Sequence, residues 1–326
     1  MAAERGTVCV TGGTGFIGSW LIMRLLNYGY SVRTTIRPNS EHKRDLSFLT
    51  SLPGATERLK IFEADLSEPE SFMAAIEGCN GVFHVATPLD FEGKEAEEIV
   101  TKRSIDGAIA ILKACLDSKT VKKVVYTSSA AAVVANGKDL DVMDESYWSD
   151  VNYIKAQKMF PTSYFLSKTS TEKAVLEFSE KNGLDVVTLI PSFVVGPFIC
   201  PKFPGSVKIV LETALGKSEG LVDIDMVNVD DVVRAHIFIF EHPEAKGRYN
   251  CSSDVITVDD LSKLFSVKYP EFQIPKRELV TPKETKGLKF PYLSSKKLIE
   301  SGFKFKYGVE ETVDDAIKCC KEKGYL

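Results

Sequence analysis

The sequence predicts an α/β fold, a doubly wound parallel sheet of the Rossmann type with a smaller α/β C-terminal lobe. Three observations predict it. From Val8 to Arg37 the chain reads strand, glycine turn, helix, strand. Short apolar runs that end in small or polar residues then alternate with helical patterns as far as residue 195. From Gly196 that alternation degrades, with Pro197, Pro201, Pro204 and Gly205 marking loops.

Val8, Cys9 and Val10 form a short apolar run, as expected of a strand buried on both faces. Gly12, Gly15 and Gly18 follow in a T-G-x-x-G-x-x-G spacing, with Thr14, Phe16 and Ile17 between them. Leu21, Leu25 and Leu26 recur at helical spacing up to Asn27 and Gly29, and Ser31–Ile36 reads as a second strand. In that context Gly12 allows a tight turn, Gly15 lets a pyrophosphate approach the backbone, and Gly18 lets the helix pack on the sheet. The helix N-terminus offers free N–H groups to phosphates. A dinucleotide site is therefore expected in this turn. NAD binders carry an acid about 20 residues beyond the motif. Here the second strand ends in Arg37, with His42, Lys43 and Arg44 close behind. Guanidinium groups pair with a 2′-phosphate, so Arg37 and Arg44 point to NADP(H).

Phe48, Leu49 and Leu52 suggest a short helix stopped near Pro53-Gly54, and Leu59–Ala64 is a third strand with Asp65-Leu66 at its end. Asp65 is placed to contact adenine or to serve as a turn residue. Ser67 and Glu70 read as a capping box for a helix over Glu68–Glu77 that closes at Gly78. Gly81–Ala86 is a fourth strand running into Thr87-Pro88. Ligands gather at the carboxyl ends of such strands, which puts Val85, Ala86 and Thr87 beside the cofactor. Glu95–Asp117 reads as a long helix with Ile105, Ile109, Leu112 and Leu116 buried and Glu98 and Lys102 paired outside. The acidic run from Glu92 to Glu98 reads as a solvated face.

Val121–Tyr126 is a fifth strand ending in Thr127-Ser128-Ser129, and Lys138–Asp150 is a charged loop. A helix opens at Tyr164, runs through Lys181 and ends at Gly183, before a sixth strand over Asp185–Ile190. Met226–Phe240 looks like a strand and helix returning to the first domain, while Val258–Phe265 and Glu310–Lys321 are helices of the smaller lobe. The expected division is a nucleotide-binding domain over 1–195 with 226–245, and a substrate lobe over 196–225 and 246–326.

Tyr164 and Lys168 are four apart, hence on one helix face a turn apart, and Ser129 at a strand end can reach them. That set suits carbonyl reduction. The incipient alkoxide needs a proton, and a tyrosine with an ordinary pKa of about 10 gives one poorly at neutral pH. A lysine cation and the positive nicotinamide would lower it, and Ser129 would donate a hydrogen bond to the substrate oxygen.

Composition excludes other classes. The 41 Lys and Arg against 45 Asp and Glu leave a net charge of -4, unlike a nucleic-acid or anionic-membrane binder. No apolar run approaches the roughly 20 residues of a membrane span. The seven cysteines are odd in number and scattered, and no targeting stretch precedes the first strand, so a reduced, cytoplasmic protein is expected. The four histidines have no metal-ligand spacing.

The strings T-G-G-T-G-F-I-G, Y-T-S-S, Y-F-L-S-K and V-V-G-P-F resemble the extended short-chain dehydrogenase/reductases of plant phenylpropanoid metabolism. That family includes dihydroflavonol 4-reductase, anthocyanidin reductase, cinnamoyl-CoA reductase and vestitone reductase, and the resemblance covers essentially the whole chain. It implies Ser129, Tyr164 and Lys168 as catalytic, with Lys168 also on the nicotinamide ribose. It implies Arg37 and Arg44 at the 2′-phosphate and Asp65-Leu66 at adenine. Val85–Thr87, Pro191, Ser192, Val194 and Ser206 would lie along the nicotinamide half. The cinnamoyl-CoA reductase pattern N-W-Y-C-Y is absent before Lys168, and Val134 stands where dihydroflavonol reductases carry Asn or Asp. The stretches 97–103, 136–139, 144–150 and 319–326 are most similar to vestitone reductase. Val227-Asn228-Val229-Asp230-Asp231 departs from the family's V-H-V-D-D, and the substrate wall near Ser163 and Asp225 is unfamiliar.

The resemblance implies NADPH-dependent reduction of a ketone on a flavonoid- or isoflavonoid-like aromatic, by a monomer, with a dimer as the alternative. Dihydroflavonol reduction, reduction of a smaller aromatic aldehyde, and a non-catalytic NADP-binding sensor or scaffold are the competing readings. A sugar-nucleotide epimerase shares the fold but commonly prefers NAD, against which Arg37 argues.

Overall fold

The computed structural model describes residues 5–38, 45–88, 95–157, 159, 161–217, 221–272 and 290–326. His42, Lys43, Arg44 and Glu92 lie outside the described residues. The glycine turn joins β1 (Thr7–Thr11) to α1 (Phe16–Asn27), and β2 (Ser31–Ile36), β3 (Leu59–Glu63) and β4 (Gly81–His84) follow. Then come α2 (Glu97–Ser118), β5 (Lys123–Thr127), α3 (Thr162–Asn182) and β6 (Val186–Pro191). The rest comprises β7 (Phe193–Val195), α4 (Gly205–Ala214), β8 (Asp223–Asn228), α5 (Val229–Glu241) and β9 (Gly247–Cys251). Last are β10 (Asp254–Thr257), α6 (Val258–Lys268) and, after three short elements among the described residues, α7 (Val309–Glu322).

Seven parallel strands form the main sheet in the order β9-β6-β5-β4-β1-β2-β3. The order reverses between β1 and β4, which opens a crevice beyond their carboxyl ends. Alternation along each strand feeds two apolar layers. Val8, Val10 and Phe83 pack with Leu21 and Leu25 of α1 and Val233 and Ile237 of α5. Cys9, Val82 and Val124 pack with Ile111 and Leu112 of α2 and Val175 of α3. A second sheet, β10-β8-β7, packs with α4, α6 and α7 around Phe198, Val210, Leu261, Phe265 and Ile317.

Several sequence expectations shift. Residues 247–251, read with the smaller lobe, form the edge strand of the main sheet, paired with β6. The helix over Glu68–Glu77 divides into a 3-10 turn, Pro69–Phe72, and one α turn, Met73–Ile76. Ser67 does not cap it, because its hydroxyl donates to Asp65 Oδ1 (2.6 Å). The buried face of α2 keeps Leu112 from the expected stripe, with Ile109 and Leu116 packed at its edge, but widens to Val100, Ser104, Gly107, Ala108, Ile111 and Cys115. That helix is covered by both the sheet and α3, so its apolar face is wider than one stripe. Lys102 pairs with Asp106 rather than with Glu98.

Candidate active site

The glycine turn is shaped by contacts that a side chain would block. Gly12 has φ +76°, and a Cβ there would stand 3.0 Å from Ala86 Cα. The Gly12 and Gly13 N–H groups both donate to Thr35 O (3.1 and 3.0 Å). A Cβ on Gly18 would lie 2.4 Å from Gly12 O, so Gly18 seats α1 against the turn itself. The close approach to the sheet falls to Gly13, where a Cβ would lie 2.1 Å from Thr34 Oγ1. Gly15 is exposed and precedes α1 without a capping side chain, and half-buried Thr14 adjoins it. The first-turn N–H groups of Phe16, Ile17 and Gly18 are therefore free for an anion. This cradle fits a dinucleotide pyrophosphate.

Thr11 at the end of β1 is a residue that motif reading passes over. Its Oγ1 accepts from the N–H groups of Val85 (3.1 Å) and Ala86 (3.0 Å), fixing the exit of β4. Its own proton is then left for His84 Nδ1 (2.9 Å). Burial above all, with the Lys168 charge added, lowers the His84 pKa to about 3 and keeps the ring neutral. Arg37, just beyond β2, is exposed and pairs with Asp65 Oδ2 at 3.2 Å. Burial raises the Asp65 pKa, but hydrogen bonds from Ser67 and the Arg37 charge outweigh it, and the net shift is downward. Asp65 thus orients Arg37. Leu66 is buried, and a Cβ on Gly107 would stand 2.9 Å from its side chain, so Leu66 packs the strand end on α2.

Ser129, Tyr164 and Lys168 come together at the same edge. Ser129 follows β5 in extended conformation, and its Oγ accepts from Ala131 N (3.2 Å). Its hydroxyl is hydrogen-bonded to that of Tyr164, the third residue of α3. Lys168, one turn on and 4% exposed, donates from Nζ to Thr87 Oγ1 and Thr127 O (both 2.9 Å). Burial lowers its pKa to about 8, while Glu172 acts the other way. The Tyr164 phenol departs from expectation. Burial raises its pKa, against a lowering by the Ser129 hydrogen bond. Of the two cations expected to lower it, one belongs to the coenzyme rather than to the chain. The site can thus hold a carbonyl oxygen between two hydroxyl groups beside a buried ammonium.

The remaining predicted residues line the β6 side. Pro191 ends β6 opposite Cys251, and Ser192 Oγ lies 2.8 Å from Ser252 Oγ. Ser252 in turn donates to Asp225 Oδ1, and Leu293 N donates to Asp225 Oδ2 (2.8 Å). Asp225 is therefore a half-buried fastening for the 292–293 strand, and the desolvation it does suffer raises its pKa to about 6. Ser206 Oγ donates to Val194 O (2.6 Å), tying the start of α4 to β7. Val134 is half-buried and packs with the Val133, Met143, Ile190 and Leu293 cluster, and Ser163 is buried in the first turn of α3. Asn228 explains its departure from the family string. Its Oδ1 accepts from Asp230 N (2.8 Å), capping α5, and its Nδ2 donates to Thr312 Oγ1 (3.2 Å) on α7. Among the described residues, no helix is long and apolar enough to cross a membrane.

Comparison with known proteins agrees with this geometry. Residues 8–252 match the model of the NAD dependent epimerase/dehydratase family. Vestitone reductase of Medicago sativa is 58% identical over 328 residues, covering 100% of both chains. A dihydroflavonol 4-reductase of Callistephus chinensis is 47% identical, with 98% of this chain and 88% of that protein aligned. The crystal structure of the alfalfa vestitone reductase superposes with a TM-score of 0.88 at 55% identity, covering 99% of this chain and 100% of that one. Gre2 from Candida albicans in complex with NADPH superposes with a TM-score of 0.82 at 26% identity, covering 97% and 99%. With the parallel sheet, the glycine turn and the full-length match all in agreement, this chain belongs to the NAD dependent epimerase/dehydratase family, among its extended short-chain dehydrogenase/reductases.

Proposed function

We propose that this protein is an NADPH-dependent reductase of a ring ketone on a flavonoid- or isoflavonoid-like aromatic substrate. The observation that carries the reading is the hydrogen-bonded Ser129 and Tyr164 pair, with Lys168 a turn away, at the crevice that the glycine turn opens. Full-length similarity to vestitone reductase supports the substrate class, and similarity to the NADPH-bound Gre2 supports the cofactor. The first turn of α1 would take the pyrophosphate, and Arg37 the 2′-phosphate. Bound NADPH supplies the hydride. Ser129 donates a hydrogen bond to the carbonyl oxygen, which polarises it as negative charge develops. Tyr164 then gives its phenolic proton to that oxygen. Lys168 is held beside them by Thr87 and Thr127, and its charge favours the phenolate left behind. Ser192, Val194 and Ser206 would border the nicotinamide half, with Val134 and Ser163 nearer the substrate.

The reading also makes the protein a cytoplasmic monomer whose smaller lobe, residues 193–228 (β7 to β8, wider than the expected 196–225) and the chain beyond β9, closes over the substrate. The seven free cysteines support the reducing compartment. NADPH absorbance followed over a panel of isoflavanones, dihydroflavonols and aromatic aldehydes tests the reaction. Turnover of a ring ketone is expected, and Tyr164→Phe should lose about 10²–10⁴-fold in kcat with little change in NADPH affinity. Turnover confined to aldehydes would replace the substrate class, and tight NADPH binding without turnover of any carbonyl would sink it. Light scattering reads the oligomeric state, and a dimer mass would overturn the monomer.

A further inference from the structure

A buried carboxylate on the catalytic helix has no part in the mechanism above. Glu172 lies one helical turn beyond Lys168 on α3 and is 0% exposed. Its carboxylate accepts from Ser128 Oγ (2.6 Å), Thr188 Oγ1 (2.7 Å), Arg248 Nε (2.9 Å) and Arg248 Nη2 (3.2 Å). Those donors sit just past β5, on β6 and on β9, so one side chain ties three strands to the catalytic helix. Arg248 is held as firmly. Its Nη1 donates to Glu145 O (2.7 Å) and Tyr147 O (2.6 Å), and its guanidinium lies 3.5 Å above the Trp148 ring.

We propose that Glu172 is a positioning residue for the reductive step, its carboxylate keeping the Lys168 ammonium charged and holding the Ser128-Ser129 strand end against α3. The inference deepens the reductase reading and rests on it for the word reductive. The groups that face Lys168 are few. His84 from β4 is neutral, and Tyr126 from β5, whose ring centre is 5.7 Å from Nζ, is held protonated by burial. Tyr164, a turn earlier on α3, is likewise a neutral phenol. Glu172 is the anion acting on Lys168, and it opposes the downward pull of burial. Its pairing with Arg248 does not cancel this, because the carboxylate, not the guanidinium, shares the helix face with Lys168. Ser128 also links the carboxylate to the neighbour of Ser129, so charge and geometry are set by one group.

The test separates this role from packing by its sign. Titration of the ¹³C-labelled Lys168 ε-methylene by NMR, assigned with Lys168→Met, reads the ammonium without any substrate. Glu172→Gln, alone or with Arg248→Met to neutralise both charges, should move that midpoint down by about one unit or more, the size expected of a close opposite charge. Arg248→Met alone leaves the carboxylate uncompensated and should move it up. The alkaline limb of kcat against pH for ketone reduction should follow in the same directions, with NADPH affinity within about threefold. Either folded variant suffices, since the two shifts are opposite. Midpoints that stay at the wild-type value in a folded variant, or that shift the same way in both, would overturn the proposal. Absence of turnover in the wild type would defeat the reductase reading and leave the NMR result to decide the role of Glu172.

Discussion

Arg37 is the residue on which cofactor choice turns. It stands beyond the last residue of β2, held by Asp65 at 3.2 Å, with most of its side chain in solvent. A charge-assisted hydrogen bond is worth about 1.5–3 kcal/mol. Arg37→Ala should therefore weaken NADPH roughly ten- to a hundredfold or more and leave NADH nearly unchanged, as read by coenzyme fluorescence titration. Equal losses for both would remove Arg37 from the 2′-phosphate site. At this scale the sequence was informative where chemistry sits on side chains with rigid spacing. Gly12, Gly15, Tyr164 and Lys168 fall where the pattern puts them, whereas the helix-to-sheet contact read onto Gly18 belongs to Gly13. It was silent on Thr11 and Gly13, because their partners, Val85, Ala86 and Thr34, are near only once strands pair. The upward pull on the Tyr164 phenol is hidden for a related reason, since burial depends on the whole fold.

Among the elements, the strands and long helices were legible because apolar period and glycine punctuation agree there. Ser31–Ile36 has the predicted bounds, and α2, α3 and α7 differ by only a residue or two at either end. The failures are local competitions for one group. Ser67 bonds to Asp65 instead of capping a helix, and Lys102 finds Asp106 rather than Glu98. The strand β9 was missed because G-R-Y-N-C carries two polar residues, Arg248 and Asn250, that are buried by partners distant in sequence. The cap of α5 yields a prediction at this scale. Asn228→Ala removes the bond to Asp230 N and the link to Thr312, and should cost about 1 kcal/mol, within the usual 0.5–2 for such caps. Urea unfolding checks it, with a lowered midpoint and an unchanged slope. An unchanged midpoint would show that the cap contributes nothing.

At the scale of the whole molecule, two buried histidines among the described residues contribute to the pH response. His236 receives the Thr127 hydroxyl on Nε2 (2.8 Å) and donates from Nδ1 to Val232 O (2.8 Å), and burial lowers its pKa to about 4. With His84 at about 3, both rings are protonated in the unfolded chain at a higher pH than in the native one. The unfolded state then binds more protons between about pH 6.5 and 4, and stability falls as pH drops through that window. Asp225, raised to about 6 by burial, works in the opposite sense between about pH 6 and 4, as do Asp231 and Asp315, also raised by burial, while Asp65, Asp144, Asp314 and Glu271, held below the ordinary range by their partners, side with the histidines. The urea midpoint should therefore be lower at pH 5 than at pH 7, and the difference should shrink in His84→Gln. A midpoint that rises on acidification would contradict this balance. The molecule also hides every one of its seven thiols, and burial pushes each of them above the ordinary thiol pKa. An alkylating reagent meets a thiolate only when the chain opens, so labelling becomes a clock for opening. Mass spectrometry of the tagged peptides would time the two halves separately, Cys9, Cys79 and Cys115 for the parallel sheet and Cys319 and Cys320 for the helix that seals the smaller lobe.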